Sequence, residues 1–195
     1  MRLMKTRESQ PDFDERATVI AVQQGDRDAF RDLYERYRDR VYNIIFYSMG
    51  DESRAEDVLQ IVFVKIYTGL PSFRFEASFA TWIYRIAVNE SLNQQRGRKS
   101  HHIPFEALLG SDEELDSGSA ADLRHADGER REIVHRAVME LSPKLRAVVA
   151  LKYLDGLSYE EIASVLECSP GTVASRLNRA LSELEARLRP LRRLL

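Results

Sequence analysis

The chain has 195 residues, 44% of them hydrophobic and 31% charged, with a formal net charge of −2. That length allows one ordinary domain or two small ones, and the composition suits a folded chain rather than a wholly disordered one. A lone Cys168 and four scattered histidines leave no disulfide, CxxC pair or metal cluster, so no metal and no cofactor are expected. The polar N-terminus carries no apolar leader core, and no run is apolar enough to span a bilayer, so the expected setting is the cytoplasm.

In chain order, residues 1–13 read as a tail. Asp26 is placed to cap a helix whose apolar positions Phe30, Leu33, Tyr34, Tyr37, Val41, Ile44 and Ile45 recur every three or four residues. Residues 58–67 could form a strand by composition, but Ser53 and Glu56 have capping-box spacing ahead of them and favour a helix over 53–70. Such a helix is apolar on more than one face and needs more than one partner. After a turn at Pro71-Ser72, a third helix is expected from about Ser78 to Arg96. It carries Trp82, Arg85, Asn89, Asn93 and Arg96 along one stripe and Ala80, Ile83, Tyr84, Ala87 and Val88 on the other side. Phe73-Arg74-Phe75 precedes it. Aromatic rings that stack on bases and arginines that neutralise phosphate would suit unpaired nucleotides, but composition alone favours Trp82 and both Phe as core, with the polar residues facing water.

Residues 100–128 hold seven acids against Arg124 and no sustained periodicity, which marks an acidic flexible linker. It divides the chain into helical segments 14–99 and 129–195. In the second, Ser142-Pro143 and Ser169-Pro170 each set a capping hydroxyl before a proline at the first helical position, and Ser158-Tyr159-Glu160-Glu161 is a capping box. The result is a short helix at 159–166, a turn at Glu167-Cys168-Ser169 and a longer helix from Pro170, the spacing of a helix-turn-helix. The turn needs a residue at positive φ and offers Glu167 or Cys168 for it.

Val173, Leu177, Ala180, Leu181, Leu184 and Leu188 form the expected buried stripe of the last helix, and Ala163 suits a close crossing. The opposite face carries Ser175, Asn178 and Arg179, flanked by Thr172, Ala174 and Arg176. Arg can pair with guanine or phosphate, Asn with adenine, and Ser or Thr with either. Six Arg against two Glu after Pro170 add a basic end to this DNA-binding reading. The expected fold class is therefore all-α: two small helical domains joined by the linker, the C-terminal one a helix-turn-helix.

Four stretches, in order, carry a family resemblance: Gly25-Asp26 with Ala29-Phe30 and Leu33-Tyr34; Ala55 through Phe63; Phe73-Arg74 with Thr81 through Asn89; and Leu157 through Ala163 with Gly171-Thr172-Val173. From Asp14 onward the chain resembles extracytoplasmic-function sigma factors. The resemblance implies a non-enzymatic chain with no small-molecule substrate, which binds core RNA polymerase and directs it to promoter DNA. It implies that 14–99 is sigma region 2 and 129–195 sigma region 4, with the linker directed toward the polymerase cleft. Asp57, Gln60 and Phe63 would meet the β′ coiled coil, and region 4 the β flap. Phe73, Arg74, Phe75, Trp82, Arg85 and Asn89 would capture and melt the −10 element, and Thr172, Ser175, Arg176, Asn178 and Arg179 would read the −35 element. An anti-sigma factor, membrane-bound in many relatives, is implied as a further partner. A mimic that only sequesters an anti-sigma protein is the competing reading. A nuclease has no metal cluster, nucleophile elbow or Gly-rich phosphate loop to support it. Ala174, often basic in the family, and Asn178 depart from common patterns and bear on −35 preference.

Overall fold

The computed structural model describes residues 13–98 and 122–191, in eight α-helices with no strand among them. They are α1 (Glu15–Gln23), α2 (Arg27–Met49), α3 (Glu52–Gly69), α4 (Phe79–Arg98), α5 (Asp122–Met139), α6 (Pro143–Tyr153), α7 (Tyr159–Val165) and α8 (Pro170–Leu188). Short 3-10 turns follow α3 at Leu70–Ser72 and α8 at Arg189–Leu191. The expected tail through residue 12 and the linker through residue 121 lie outside the described residues. Residues 122–128, expected as linker, are the first two turns of α5.

Local signals explain most helix ends. Asp26 caps α2, its carboxylate accepting from the Asp28 and Ala29 amides at 2.9 and 3.1 Å. Gly25, at φ 98°, lets α1 stop: the Asp26 amide reaches back to the Ala21 carbonyl at 3.0 Å, closing a Schellman-type end. The box expected at Ser53 and Glu56 does not form. Gly50, at φ 68°, ends α2 and leaves a corner so short that α3 begins at Glu52, with Asp51 in the cap position. Ser53 is already helical, and its hydroxyl turns back to donate to Asp51 Oδ1 at 2.7 Å.

The N-terminal half is held by α2, with Val41, Ile44 and Ile45 fully buried between α3 and α4. Lys65 on α3 bonds to Glu90 on α4, and Gln94 donates to the same carboxylate at 2.9 Å. The hydrogen bond from Lys65 holds the Glu90 carboxyl below its ordinary range. In the C-terminal half, α6 packs on α8, with Leu141, Leu145, Val149 and Ala180 between them. The two halves also pack against each other, α2 on α6 and α4 on α7, so that Val148, Leu151, Ile162 and Val165 join the core of the first half.

Polar contacts also cross the junction between the halves. Arg146 of α6 is buried, and its guanidinium donates to the Met139 carbonyl at 2.6 Å and to the Met49 carbonyl, at the end of α2, at 3.0 Å. A Cβ at Gly50 would come within 2.9 Å of that guanidinium, so this glycine serves the close approach as well as the turn. Gln95 of α4 donates to the Ser48 and Met49 carbonyls at 2.9 and 2.6 Å. Nearby, the Tyr84 hydroxyl donates to Asp155 Oδ1 at 2.9 Å, with Arg40 Nε 3.9 Å from the same oxygen.

Candidate nucleic-acid interface

The helix-turn-helix is assembled from its caps inward. Both halves of the Ser158 box form: Ser158 Oγ accepts from the Glu161 amide at 3.2 Å, and Glu161 Oε2 accepts from the Ser158 amide at 2.8 Å. The positive φ of the turn falls on Glu167, at 49°. The Cys168 amide then bonds back to the Ala163 carbonyl at 3.0 Å, a Schellman ending built without glycine. Cys168 itself is half-buried against the core, as a small apolar residue would be. Ser169 caps α8 through the Thr172 amide at 3.2 Å, with Pro170 at the first helical position.

This framework fixes the azimuth of α8. Val173, Leu177 and Ala180 face inward, while Ser175, Asn178 and Arg179 face solvent. Thr172 is half-buried and its hydroxyl sits 2.9 Å from Ser169 Oγ. Arg176 is half-buried with Nη1 3.8 Å from Cys168 Sγ, and Ala174 is half-buried too. Arg179 Nε lies 3.0 Å from Glu183 one turn on. The expected inward stripe fails at Leu181, which is 43% exposed. It stands about 100° round from Ala180, past the edge of the cover that α5 and α6 supply, and with Val134, Tyr153 and Leu154 it lines an open apolar groove.

The second set of expected residues converges on the loop before α4. Phe73 is buried, its ring 5.1 Å from Trp82 and 5.8 Å from Phe79, and Phe75 lies 4.8 Å from Phe73. Trp82 is half-buried, its ring so placed that a Cβ at Gly69 would come within 3.2 Å of it, while Arg74 and Asn89 are exposed. The two readings of the aromatic stripe therefore divide: Phe73 is core, and Phe75 and Trp82 are core on one side only. Arg74, Phe73, Trp82 and Arg85 border a cleft of about 320 Å³, which Ser164 of α7 closes from the other half. Arg85 Nη2 donates to Ser164 Oγ at 3.0 Å, and its Nε is 4.0 Å from Glu167.

On α3, Asp57 and Gln60 are exposed as a docking surface requires, but Phe63 faces inward, its ring 4.6 Å edge-on to Tyr34. The apolar side chains that α3 offers to solvent are Ile61, Val64 and Tyr67. Sequence reasoning passed over Arg146, Asp155, Ser164 and Gln23, whose partners lie far along the chain and leave no local pattern.

Burial pushes the Asp155 carboxyl above its ordinary range, against the opposing pull of Tyr84 and Arg40. A raised carboxyl pKa in the fold means the charged form is penalised, so Asp155 weakens the fold at neutral pH and ceases to do so as pH falls through the raised value toward the ordinary one near 4. Asp155→Asn keeps an acceptor for Tyr84 and is expected to raise the thermal midpoint at pH 7, the gain shrinking as pH is lowered into the carboxylate range. Melting curves for the two proteins at several pH values check this. A gain independent of pH would exclude the ionisation of Asp155 as its cause.

Comparison with known proteins decides what this constellation belongs to. The model of Sigma-70 region 2 matches residues 33–101, and that of Sigma-70 region 4 matches residues 131–184. The ECF RNA polymerase sigma-E factor of Escherichia coli is 38% identical over 183 residues, which is 89% of this chain and 93% of that protein. The chain belongs to the extracytoplasmic-function (ECF) sigma factors. It is an alternative sigma factor, directing promoter-specific transcription initiation. Its fold is that of CnrH in complex with the cytosolic domain of CnrY, with a TM-score of 0.64 at 23% identity, covering 90% of this chain and 97% of CnrH. It is also that of the sigma factor RpoE in complex with the anti-sigma factor NepR from Bartonella quintana, with a TM-score of 0.62 at 22% identity, covering 82% and 96%. Among the described residues of this sigma factor, no helix is long and apolar enough to cross a membrane.

Proposed function

We propose that residues 14–99 of this sigma factor act as region 2 and residues 129–195 as region 4, joined by the acidic linker. In this reading α8 reads the −35 element through Ser175, Asn178 and Arg179, with Thr172 and Arg176 at the margins. The loop of Phe73, Arg74 and Phe75 takes up an unstacked −10 base beside Trp82 and Arg85, with Asn89 further along the same helix. The observation that carries the reading is the azimuth of α8, whose hydrogen-bonding side chains stand in solvent opposite the packed Val173, Leu177 and Ala180.

Core polymerase docks on the exposed side of α3, with Asp57 and Gln60 touching the β′ coiled coil and Ile61 and Val64 supplying apolar area. Phe63 acts there from beneath, by holding Tyr34 and α3 in place. Region 4 meets the β flap. An anti-sigma factor is a further partner; the RpoE–NepR complex is a sigma factor of the same fold bound by one. Its membrane attachment belongs to the proposal. The protein works in the cytoplasm, where polymerase and promoter are, and performs no catalysis of its own.

The test is run-off transcription by purified core polymerase on a promoter library, with and without this chain. Specific starts that depend on the chain are expected. Core binding without any specific start would establish a mimic that only titrates an anti-sigma factor. Within the same assay, Asn89→Ala is expected to leave core binding unchanged and to impair opening of the duplex, read by permanganate reactivity of unpaired thymines. Reactivity equal to the parent protein would remove Asn89 from −10 melting.

A further inference from the structure

The cleft beside Trp82 is shaped by a helix that contributes nothing to its lining. Gln23, the last residue of α1, donates through Nε2 to the Leu70 carbonyl at 3.0 Å and to the Phe73 carbonyl at 2.8 Å. The two acceptors belong to the first residue of the 3-10 turn through which the chain leaves α3 and to the residue just after that turn. Turned the other way, the amide oxygen would face two carbonyl oxygens, so electrostatics fix its orientation. Two residues past this clamp, Phe75 stands at φ 57°, a left-handed conformation costly for a bulky side chain. Arg16, two turns earlier on the same face of α1, holds that ring: its guanidinium sits 4.5 Å from the ring centroid, and the Phe73 ring packs on it at 4.8 Å. The left-handed residue redirects the backbone, and the residues just beyond it, Glu76 and Ala77, line the cleft together with Arg74.

We propose that α1 is a positioning element for the 73–77 loop, with Gln23 and Arg16 setting the pose of Phe73 and Phe75 and thereby the base preference of the cleft. The proposal rests on the assignment of that cleft to an unstacked −10 base. Neither residue lines the cleft: Gln23 acts through the backbone that leads into it, and Arg16 through the Phe75 ring, which packs on Phe73, a lining residue. Both also precede the segment matched by the region 2 family, so base choice is governed in part from outside it.

The experiment is run-off transcription by the full chain with core polymerase on templates that carry each of the four bases at each −10 position. The readout is the ratio of the preferred base to the next best. Gln23→Leu, which fills the same space without donors, is expected to lower that ratio about tenfold. Arg16→Ala is expected to lower it about threefold, while Arg16→Lys, which retains a cation over the ring, stays within about twofold of the parent. Core affinity and thermal midpoint are measured alongside: core affinity is expected to stay near the parent value, while the midpoint of Gln23→Leu falls by a few degrees because the Phe73 carbonyl loses its donor. If transcription by Gln23→Leu and Arg16→Ala falls equally on all four bases, in step with stability, or if neither ratio changes, the proposal is overturned, because the two residues then only secure α1. Trp82→Ala and Asn89→Ala in the same series separate the two levels. Should these also leave the ratio intact while specific starts persist, the cleft itself reads no base.

Discussion

Ile162→Ala is expected to destabilise the protein by about 2–5 kcal/mol and to abolish −35 binding as a consequence. Ile162 is fully buried, in the cluster where α7 meets both its own half and the first half of the chain. The helix that carries it has only 7 residues, too few to persist alone in water, so its existence depends on packing and on the Ser158 capping box. Truncation to Ala removes three buried carbons and leaves a cavity that α7 can close only by shifting, which would tilt α8 with it. Urea denaturation measures the cost directly, and for a chain of this size the thermal midpoint should fall by about 2–4 °C for each kcal/mol lost. Ile162→Val provides the scale, at about 0.5–1.5 kcal/mol. An Ala variant no less stable than the Val variant would place Ile162 outside the core.

The second large effect is on DNA. Arg179→Ala is expected to weaken binding to the preferred −35 duplex by about 1–3 kcal/mol, read by fluorescence anisotropy at one fixed salt concentration. In the free protein Arg179 already holds Glu183 at 3.0 Å, but its side chain is 75% exposed. An exposed pair of this kind contributes only about 0.2–1 kcal/mol, less than a two-pronged contact to guanine provides. The exchange of partners therefore favours DNA. Arg179→Lys separates the two modes of contact: a lysine that restores affinity on every sequence alike marks a phosphate contact, whereas restored charge with lost base preference marks edge reading. Affinity unchanged in Arg179→Ala would show that another face of α8 enters the groove.

What could be read from sequence was whatever is written within four or five residues. Asp26, Ser158 and Ser169 cap because a side-chain oxygen and an amide two or three residues on need nothing else. The inward residues of α2 and the first half of α8 follow from a 3.6-residue period. The capping-box pattern misplaced the start of α3, because Ser53-x-x-Glu56 has the right letters but Gly50 ends the preceding helix too close for it to act as a cap. The 3.6-residue period misled elsewhere and put Leu181 inside, since periodicity states which way a side chain points and not whether a neighbour is there to cover it. Phe63 is the mirror case: an apolar residue assigned to a partner is used by the chain's own Tyr34. The clamp at Gln23 and the contacts of Arg146 and Asp155 join positions up to 98 residues apart and have no local signature.

The carbonyls at the end of α2 carry a duplicate fastening. Arg146 from the second half and Gln95 from the first both donate to the Ser48 and Met49 oxygens. Were α6 to lift away, those oxygens would still be satisfied by Gln95, and the guanidinium released would pass into water, where it is well solvated. At this point the seam can be unbuttoned from one side without fraying the helix on the other. Opening would still expose Val148, Leu151, Ile162 and Val165, but a single-donor junction would in addition have left a bare backbone oxygen behind.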